Sequence, residues 1–429
     1  MACALTDPAT CFGQFILLRP WLAYTCAAFF FPEPPVHQQD VIVVGGGQAG
    51  AACAHDLAIA GLSVLLVDRR AFPRFKACAG GVTTKALRRY RFSIAPVIRQ
   101  VESDMRVSLY LKREATLRAP APICAMTVRT ELDALCFNRA ITAGARFEQI
   151  GPIRSIDEGA DGVTLTLDNG RVLRARFLVG ADGAHSQVRK LTGGFVPDRT
   201  AVAMEGVVRL PAGVPLPPLT FDFGVVGQGY GWLFPKGDHL NVGIYTRRPE
   251  EVQFSKDHLR EYVQRRLGIR GDAIEHLVGF PIGTGGEYYQ PRSERVLLVG
   301  DAAGMAEALL GEGIHNAVLT GQMAANAIVL ALAANGSART LYDDYSAIVR
   351  GDIDNCRKLA QLFYKFLPIS YGILRHVVDD VLVNGFAAGM TTTECKRAFF
   401  TRKPAYDFSP PLSLLAKEPL GRRSDLFLS

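Results

Sequence analysis

The sequence predicts an α/β protein in which a mostly parallel sheet is interleaved with an antiparallel sheet and followed by a C-terminal helical region. Three features of the 429 residues support this prediction. Aliphatic runs rich in β-branched residues end in glycine turns, which is typical of buried parallel strands. Several short strands occur between these runs, and this pattern favours an antiparallel sheet. Long segments of helical periodicity follow and predict the helical region.

The first glycine turn follows the predicted strand 41–44 and reads GGGQAG. Gly45, Gly47 and Gly50 have the G-x-G-x-x-G spacing that allows a tight turn, close approach of a pyrophosphate and close packing of a helix. The helix predicted over residues 51–60 would direct its free backbone N–H groups at the phosphates. A tight strand-to-helix turn without a ligand is the alternative interpretation.

An acidic residue at the end of the next strand supports the nucleotide interpretation. The predicted strand 63–67 runs into Asp68, where a carboxylate that binds a ribose hydroxyl is expected. The residues that we assign to this half of a dinucleotide site are Gly45, Gly47, Gln48, Ala49, Gly50, Asp68 and Arg69.

Two further glycine–acid turns follow apolar strands later in the chain. One is GADGAHSQVRK from Gly180, with Asp182 and Gly183, and the other is GDAAGMAEALLGEGIHNA from Gly300, with Asp301. A nicotinamide dinucleotide needs one pyrophosphate cradle, so a simple dehydrogenase has no need of the third turn. FAD extends beyond the first strand–helix–strand unit, and an acid can accept a hydrogen bond from its ribityl hydroxyls. The three turns therefore predict FAD as the cofactor.

In this order the three turns resemble the flavoprotein monooxygenase-type fold, which aromatic hydroxylases, flavin halogenases and geranylgeranyl reductases share. The resemblance runs from about residue 40 to about residue 335. It implies a Rossmann-like FAD-binding domain interleaved with an antiparallel-sheet substrate domain. It also implies that the middle turn lies between FAD and the approach of NAD(P)H. The FAD contacts that it adds are Arg129 near the phosphates, Asp182, Gly183, Asp301, Gly311, Gly313 and Ile314.

A glycine-rich loop at residues 73–81 resembles the geranylgeranyl reductase family. It reads PRFKACAGG and is similar to the P-R-x-K-x-C-G-G-G loop of that family, with Ala79 where glycine is usual. The resemblance implies that this loop lies near the flavin. The loop residues that we assign to the cofactor site are Lys76, Cys78, Ala79 and Gly80.

A second stretch, YGWLFPKGD from Tyr230, is similar to the Y-x-W-x-F-P strand and turn of the same family. The family usually has proline three residues before the tyrosine, where this chain has Gly227. It also tends to have proline at the position of Ala308, before the G-E-G-I segment. These two departures from the family pattern bear on which substrate is bound more than on membership of the family.

Alternation along this predicted strand points Tyr230, Trp232 and Phe234 to one face of the sheet. Three aromatic rings on one face are suited to binding an isoprenoid chain, and ordinary core packing is the alternative. Cys78 follows Arg74 and Lys76, which favours a thiol of lowered pKa. Reduction of an isolated C=C bond needs a proton as well as a hydride. We therefore assign Cys78 a catalytic role, with a small buried structural residue as the alternative.

Other local patterns predict single elements. The Asp-Asn-Gly sequence at 168–170 predicts a hairpin, and Thr130 is a suitable N-cap for a helix that ends at Gly144. Helices are also expected over residues 83–91 and 369–386.

The elements and turns divide the chain into eight predicted segments. They are an N-terminal extension (1–39), three parts of the FAD-binding domain (40–100, 123–198 and 291–340), a substrate-domain excursion (101–122), the antiparallel-sheet substrate domain (199–290), a C-terminal helical region (341–396) and a tail (397–429). The extension is apolar over residues 12–31 but is interrupted by Arg19 and Pro20, so we interpret it as a poorly ordered or surface-lying segment. A membrane anchor is the alternative.

Composition narrows the possible partners and the compartment. The net charge of +7 fits either a solvated basic face or attraction to an anionic partner, and no nucleic-acid motif accompanies it. The nine cysteines are scattered without metal-ligand spacing, so we expect no metal site and a reducing cytoplasm. The oligomeric state cannot be predicted from these features.

The sequence therefore predicts an FAD-dependent oxidoreductase that saturates C=C bonds of a geranylgeranyl-type isoprenoid chain. NADPH or another reductant would supply the electrons, and amphipathic C-terminal helices suit a cytoplasmic enzyme at the membrane surface. An FAD-dependent monooxygenase or halogenase acting on an apolar or aromatic substrate is the alternative enzyme. A flavin-binding scaffold or redox sensor without turnover is the third hypothesis.

Overall fold

The computed structural model of the protein describes residues 39–193, 201–334, 336–376, 379–401 and 406–414. The predicted extension up to residue 38 and the end of the predicted tail lie outside the described residues. The interpretation of the extension therefore remains a prediction.

The described strands, in chain order, are β1 (Gln39–Val44), β2 (Val64–Asp68), β3 (Gly81–Thr83), β4 (Ile98–Glu102), β5 (Asp104–Leu109), β6 (Ala115–Arg118), β7 (Cys124–Thr127), β8 (Arg146–Gln149), β9 (Ile153–Glu158), β10 (Val163–Leu167), β11 (Val172–Gly180), β12 (Ala201–Val208), β13 (Thr220–Phe223), β14 (Gly229–Pro235), β15 (Leu240–Thr246), β16 (Glu275–Ile282) and β17 (Val296–Leu298). The described α-helices are α1 (Gln48–Ile59), α2 (Thr84–Leu87), α3 (Arg129–Thr142), α4 (Gln187–Leu191), α5 (Pro249–Val252), α6 (Lys256–Leu267), α7 (Ile314–Ala334), α8 (Ala338–Lys365), α9 (Leu367–His376), α10 (Asp379–Ala387) and α11 (Thr392–Thr401).

The first sheet has the order β8-β2-β1-β11-β10-β9, with β17 paired to the end of β11. Strands β8, β2, β1, β11 and β17 run parallel, and β9 and β10 are antiparallel. All four residues of 41–44 are buried, as expected of a central parallel strand. Helices α1 and α7 pack so closely that a Cβ on Gly321 would lie 2.2 Å from the carbonyl oxygen of Ala49. The predicted Rossmann-like fold is confirmed.

The second sheet has the order β16-β12-β15-β14-β13-β5-β6 and is antiparallel except between β13 and β5. One face of β14 packs against α6, where the ring of Tyr262 occupies the space that a side chain on Gly231 would need. The other face presents the predicted aromatic residues. Strands β5 and β6 pair as an antiparallel hairpin within residues 101–122.

The C-terminal helices join the two sheets. Along α8, Tyr342 and Val349 belong to the core under the first sheet, whereas Ala360 and Tyr364 belong to the core under the second. By length and composition, α7 alone among the described helices could cross a bilayer, but 56% of its most apolar window is buried within the fold. It has the character of a core helix.

Two local predictions were wrong. Helix α3 begins at Arg129 and not after Thr130, because the carbonyl of Val128 already accepts the N–H groups of Glu131 and Leu132. The helix expected over 83–91 is restricted to α2, and tertiary hydrogen bonds from the following arginine hold the next residues in a different path. The helix expected over 369–386 is described as helical on both sides of residues 377–378, in α9 and α10, and those two residues lie outside the described part of the chain.

Candidate active site

The first glycine turn forms a cradle that excludes side chains. Gly45 has a φ of 103°, and a Cβ on it would lie 2.4 Å from the carbonyl oxygen of Ala181. A Cβ on Gly50 would lie 1.8 Å from the carbonyl oxygen of Gly45. Gly47 is the N-cap of α1 and makes no side-chain cap, so the first N–H groups of the helix are open to a phosphate. These residues fit the pyrophosphate of a dinucleotide.

Asp68 lies beside this cradle, at the end of β2. Its Oδ2 accepts a hydrogen bond from the N–H of Gly46 at 2.9 Å, and its Oδ1 accepts one from the N–H of Arg70 at 3.0 Å. Arg69 has an exposed side chain. The position of Asp68 matches the prediction, and its contact with a ribose remains a prediction.

A buried polar network extends from the cradle to the Cys78 loop. Arg129 holds Asp133 in a bidentate pair, with Nε and Nη2 at 2.8 and 3.0 Å from the carboxylate oxygens. Gln48 Nε2 donates to Asp133 at 2.7 Å and Tyr90 donates to Gln48 at 2.7 Å. Burial opposes the charge of Arg129, but Asp133 and Cys78 outweigh it and raise the pKa of the guanidinium. Asp133 was missed from the sequence, although its i, i+4 spacing from Arg129 on a helix was a usable signal.

The carboxylate of Asp182 in the middle turn accepts hydrogen bonds from residues that follow it in the chain. Its carboxylate accepts hydrogen bonds from Ser186 Oγ and from the N–H groups of Gln187 and Val188, at 2.5, 2.6 and 3.1 Å. It therefore caps the start of α4, and a role toward the cofactor remains a prediction. Gly183 follows it with a φ of 81°.

Arg189, which sequence reasoning missed, fastens the middle turn to the third one. Its guanidinium donates to the carbonyl oxygens of Ala302 at 2.7 Å and Ala184 at 2.6 Å. The D-G-x-x-S-x-x-R spacing from Asp182 to Arg189 was the available signal. The two turns are thus held at a set separation.

Asp301 of the third turn has a free carboxylate. It accepts no hydrogen bond from any residue in the described part of the chain, and Oδ1 is 3.4 Å from the position of a Cβ on Gly313. Burial lowers the pKa of Lys76, and the charge of Asp301 is the largest effect opposing that shift. Gly311 has a φ of 71°, and α7 starts at Ile314. A carboxylate with free acceptors in this position fits a ribityl hydroxyl.

The Cys78 loop is tied to the second sheet by a chain of hydrogen bonds. Glu205 Oε1 accepts the N–H of Cys78 at 2.7 Å, and Asn241 Nδ2 donates to Glu205 Oε2 at 3.4 Å. Asn241 Oδ1 accepts in turn from Trp232 Nε1 at 2.7 Å. Burial raises the pKa of Glu205. Glu205 and Asn241 lie in strand interiors without a motif, so the sequence offered no signal for them.

The loop itself has little conformational freedom. Gly80 has a φ of 67°, and a Cβ on it would lie 2.2 Å from the carbonyl oxygen of Thr127. Ala79 and Cys78 are partly exposed. Cys78 is therefore held by Glu205 on one side and by the Gly80 turn on the other, with Arg129 nearby.

The three aromatic residues of β14 share one face, as predicted. The ring centroids of Tyr230 and Trp232 are 6.1 Å apart, and those of Trp232 and Phe234 are 6.3 Å apart. Tyr230 and Trp232 are buried, whereas Phe234 is partly exposed and its ring lies against Gly81. The aromatic face thus reaches the Cys78 loop through Phe234, and its contact with substrate remains a prediction.

The protein is an FAD-binding protein by its sequence as well as by this geometry: a family model described as an FAD binding domain matches residues 38–351. Rice (Oryza sativa subsp. japonica) geranylgeranyl diphosphate reductase is 31% identical, over 73% of this chain and 71% of the plant protein. Digeranylgeranylglycerophospholipid reductase 2 of Methanopyrus kandleri is 28% identical, over 85% of this chain and 97% of the archaeal protein. The chain therefore belongs to the geranylgeranyl reductase family of FAD-dependent oxidoreductases, as the resemblance implied, and it is an FAD-dependent reductase.

Solved structures support the fold. A geranylgeranyl bacteriochlorophyll reductase-like protein from Thermoplasma acidophilum has a TM-score of 0.67 and 22% identity, over 85% of this chain and 95% of that one. The flavin-dependent brominase Bmp2 has a TM-score of 0.63 and 17% identity, over 86% of this chain and 100% of that one. At these identities the likeness concerns the fold, which reductases and halogenases share.

Proposed function

We propose that the protein saturates the C=C bonds of a geranylgeranyl-type isoprenoid chain, with NADPH or another reductant as electron donor. The observation that carries this proposal is the hydrogen-bonded chain from Trp232 through Asn241 and Glu205 to the Cys78 loop. It holds an aromatic face and a partly exposed thiol in one unit beside the FAD-binding turns. Relatives named for geranylgeranyl and digeranylgeranyl substrates support the isoprenoid class.

The chain offers contacts for three parts of FAD: the pyrophosphate, the ribose and the ribityl chain. The cradle of Gly45, Gly47 and Gly50 would hold the pyrophosphate, and Asp68 would bind the ribose. The free carboxylate of Asp301 would accept from a ribityl hydroxyl. FAD, when bound, supplies the hydride for one alkene carbon.

The residues of the Cys78 loop and β14 provide the rest of the reaction. Tyr230, Trp232 and Phe234 would pack along the methyl-branched chain, because aromatic rings bury large apolar areas. Cys78 would give its Sγ proton to the second alkene carbon, and burial behind the aromatic face would keep water away from the reacting bond.

Anaerobic turnover separates this function from its alternatives. A reductase forms product without oxygen, and the product is heavier by two hydrogens for each bond saturated. A monooxygenase or halogenase, which the shared fold also allows, requires oxygen, and strict oxygen dependence would rule out our proposal. A scaffold or sensor would bind FAD, but neither NADPH nor another donor would bleach the flavin spectrum.

An apolar stripe on α8 and α9 supports a place for the enzyme at the membrane surface. Leu362 and Ile369 are 59% and 66% exposed, and three further apolar residues continue the stripe: Leu359, Phe366 and Ile373. Exposed Lys358 and Lys365 flank it. The opposite side of these helices packs on the second sheet, where the rings of Phe223 in β13 and Phe363 in α8 are 5.2 Å apart. We propose that the stripe rests on an anionic bilayer, the medium in which isoprenoid lipids reside.

Vesicle sedimentation tests this surface. Leu362→Asp should release the protein from phosphatidylglycerol vesicles, whereas Ile348→Asp is the matched control, because Ile348 is 78% exposed on the same helix but lies outside the stripe. Equal binding by both variants would contradict the proposal.

We also propose that the enzyme is cytoplasmic, since the six cysteines of the described residues are all free.

A further inference from the structure

Lys236 is a buried cation next to the Cys78 loop. It follows β14 directly and is 2% exposed. Its Nζ lies 3.4 Å from the position that a Cβ on Gly80 would occupy. Within the described residues its single hydrogen bond is to the thioether of Met126, at 3.8 Å. A thioether is a weak acceptor, so the ammonium is buried without an oxygen partner, which is unfavourable unless the charge has a use.

Several ionisable groups face Lys236. Cys124 comes from β7, Cys78 from the loop and Glu205 from β12. Burial lowers the pKa of Lys236 to about 8, and each of these groups would oppose that effect in its anionic form. Burial raises the pKa of Cys124 to about 12, so this thiol keeps its proton at neutral pH. Lys236 itself can therefore exchange a proton near neutral pH.

Cys78 is surrounded by a further set of groups. Arg129 from α3, Lys76 from its own loop and Tyr230 from β14 all interact electrostatically with it. The Arg129 guanidinium is always charged, so it can stabilise a thiolate but cannot supply a proton. The ammonium of Lys236 can do both.

We propose that Lys236 is a positioning residue that stabilises the thiolate of Cys78 and returns the proton that Cys78 gives to the substrate. In this step an N–H bond of Lys236 breaks and the S–H bond of Cys78 forms again. No electrons are transferred, and water later protonates the neutral amine. The substrate step rests on the proposed function, whereas the electrostatic link between Lys236 and Cys78 does not.

Alkylation of Cys78 measures the electrostatic link without turnover. The FAD-loaded protein and its apoprotein would be treated with iodoacetamide between pH 6 and pH 10, and the modified peptide quantified by mass spectrometry. Lys236→Met should slow alkylation of Cys78 at pH 7 by about tenfold, because the thiolate is the reacting form and the nearby ammonium stabilises it. Lys236→Gln gives a second neutral variant. Unchanged alkylation at every pH in both variants would overturn the proposal.

Lys236→Arg separates charge from proton supply. This variant should be alkylated like the wild type but should turn over at least about tenfold more slowly, since arginine holds its proton. Met126→Leu, which removes the sulfur partner of Lys236 and keeps the charge, is the control and should leave both rates near wild type. Wild-type turnover by Lys236→Arg would overturn the proton return. Absence of isoprenoid reduction by the wild type would instead refute the proposed function, while the alkylation result would still decide the Lys236–Cys78 link.

Discussion

The two large sheets differ in whether their strands bury charged side chains. In the described strands of the first sheet no charged residue is buried, and the predicted pyrophosphate contacts come from backbone turns. The second sheet buries Glu205 and Asp222 in its strands and Lys236 directly after β14. Asp222 accepts from Ser108 Oγ and Tyr262 Oη, at 2.5 and 2.8 Å, and lies 3.0 Å from Arg266 Nε.

This difference fits the roles that we propose for the two halves. A pyrophosphate is recognised by N–H groups and a helix terminus, which need space rather than side chains. Proton transfer needs ionisable groups away from water, where their mutual interactions are strong. Glycine substitutions should therefore damage the first half, and substitutions of buried charges should alter the pH dependence of the second.

The largest effect is expected from Gly50→Val. A side chain at this position meets the carbonyl of Gly45, so the cradle cannot form and the protein should be isolated without FAD. The ratio of flavin to protein absorbance measures the loss. Gly151→Val is the control, because a Cβ there meets nothing within 4 Å and the residue has no positive φ. A full flavin complement in Gly50→Val would contradict the cradle.

Lys236→Met should change how stability depends on pH. The pKa of Lys236 is lowered from 10.5 to about 8 in the folded protein, so the unfolded chain binds more protons between these values. Wild-type stability should therefore rise from pH 8 to pH 10.5 relative to the variant, by on the order of 3 kcal/mol. Urea unfolding of both FAD-loaded proteins across this range measures the difference. Parallel pH profiles would show that Lys236 has an ordinary pKa.

Asp301→Ala should weaken FAD binding by about 10- to 100-fold, the loss expected for a hydrogen bond to a charged group. Fluorescence titration of apoprotein with FAD measures the affinity. Asp238→Ala is the control, since the side chain of Asp238 is 69% exposed. Yellow protein with wild-type affinity would remove Asp301 from the site.

Trp232→Ala should weaken isoprenoid binding by about tenfold, or about 1.4 kcal/mol, and leave FAD bound. Leu233→Ala is the matched control, because Leu233 is also buried but points to the α6 side of the same strand. Both variants should melt at lower temperature. If both, or neither, lose affinity for the isoprenoid, the aromatic face is core packing alone.

Local signals predicted the FAD half of the molecule well. The spacing of Gly45, Gly47 and Gly50 and the acid at the end of β2 are short-range features, so the sequence displays them directly. The alternation of Tyr230, Trp232 and Phe234 is equally local, and the shared face followed from strand geometry.

The connections between distant segments could not be predicted. Glu205 meets Cys78 across 127 positions, and the hydrogen bond depends on the pairing of strands that sequence reasoning did not resolve. Lys236 was part of a quoted motif, yet its burial, with Met126 as its single hydrogen-bond partner among the described residues, is a property of the packed loop. Strand β3 has three residues, and exposed residues come in pairs along β16, so neither shows the alternation that identifies a strand.

Three tyrosine hydroxyls donate hydrogen bonds to successive backbone carbonyls of residues 308–310. Tyr230 donates to the carbonyl of Leu310, Tyr364 to that of Leu309 at 2.7 Å, and Tyr245 to that of Ala308 at 2.9 Å. Since all three contacts end on carbonyl oxygens, they depend on the route of the chain and not on which side chains it bears. Proline retains its carbonyl and lacks only the N–H. Alanine or the proline common in the family can therefore occupy position 308. With either residue, the three tyrosines can donate hydrogen bonds to the carbonyls of the segment that leads into α7.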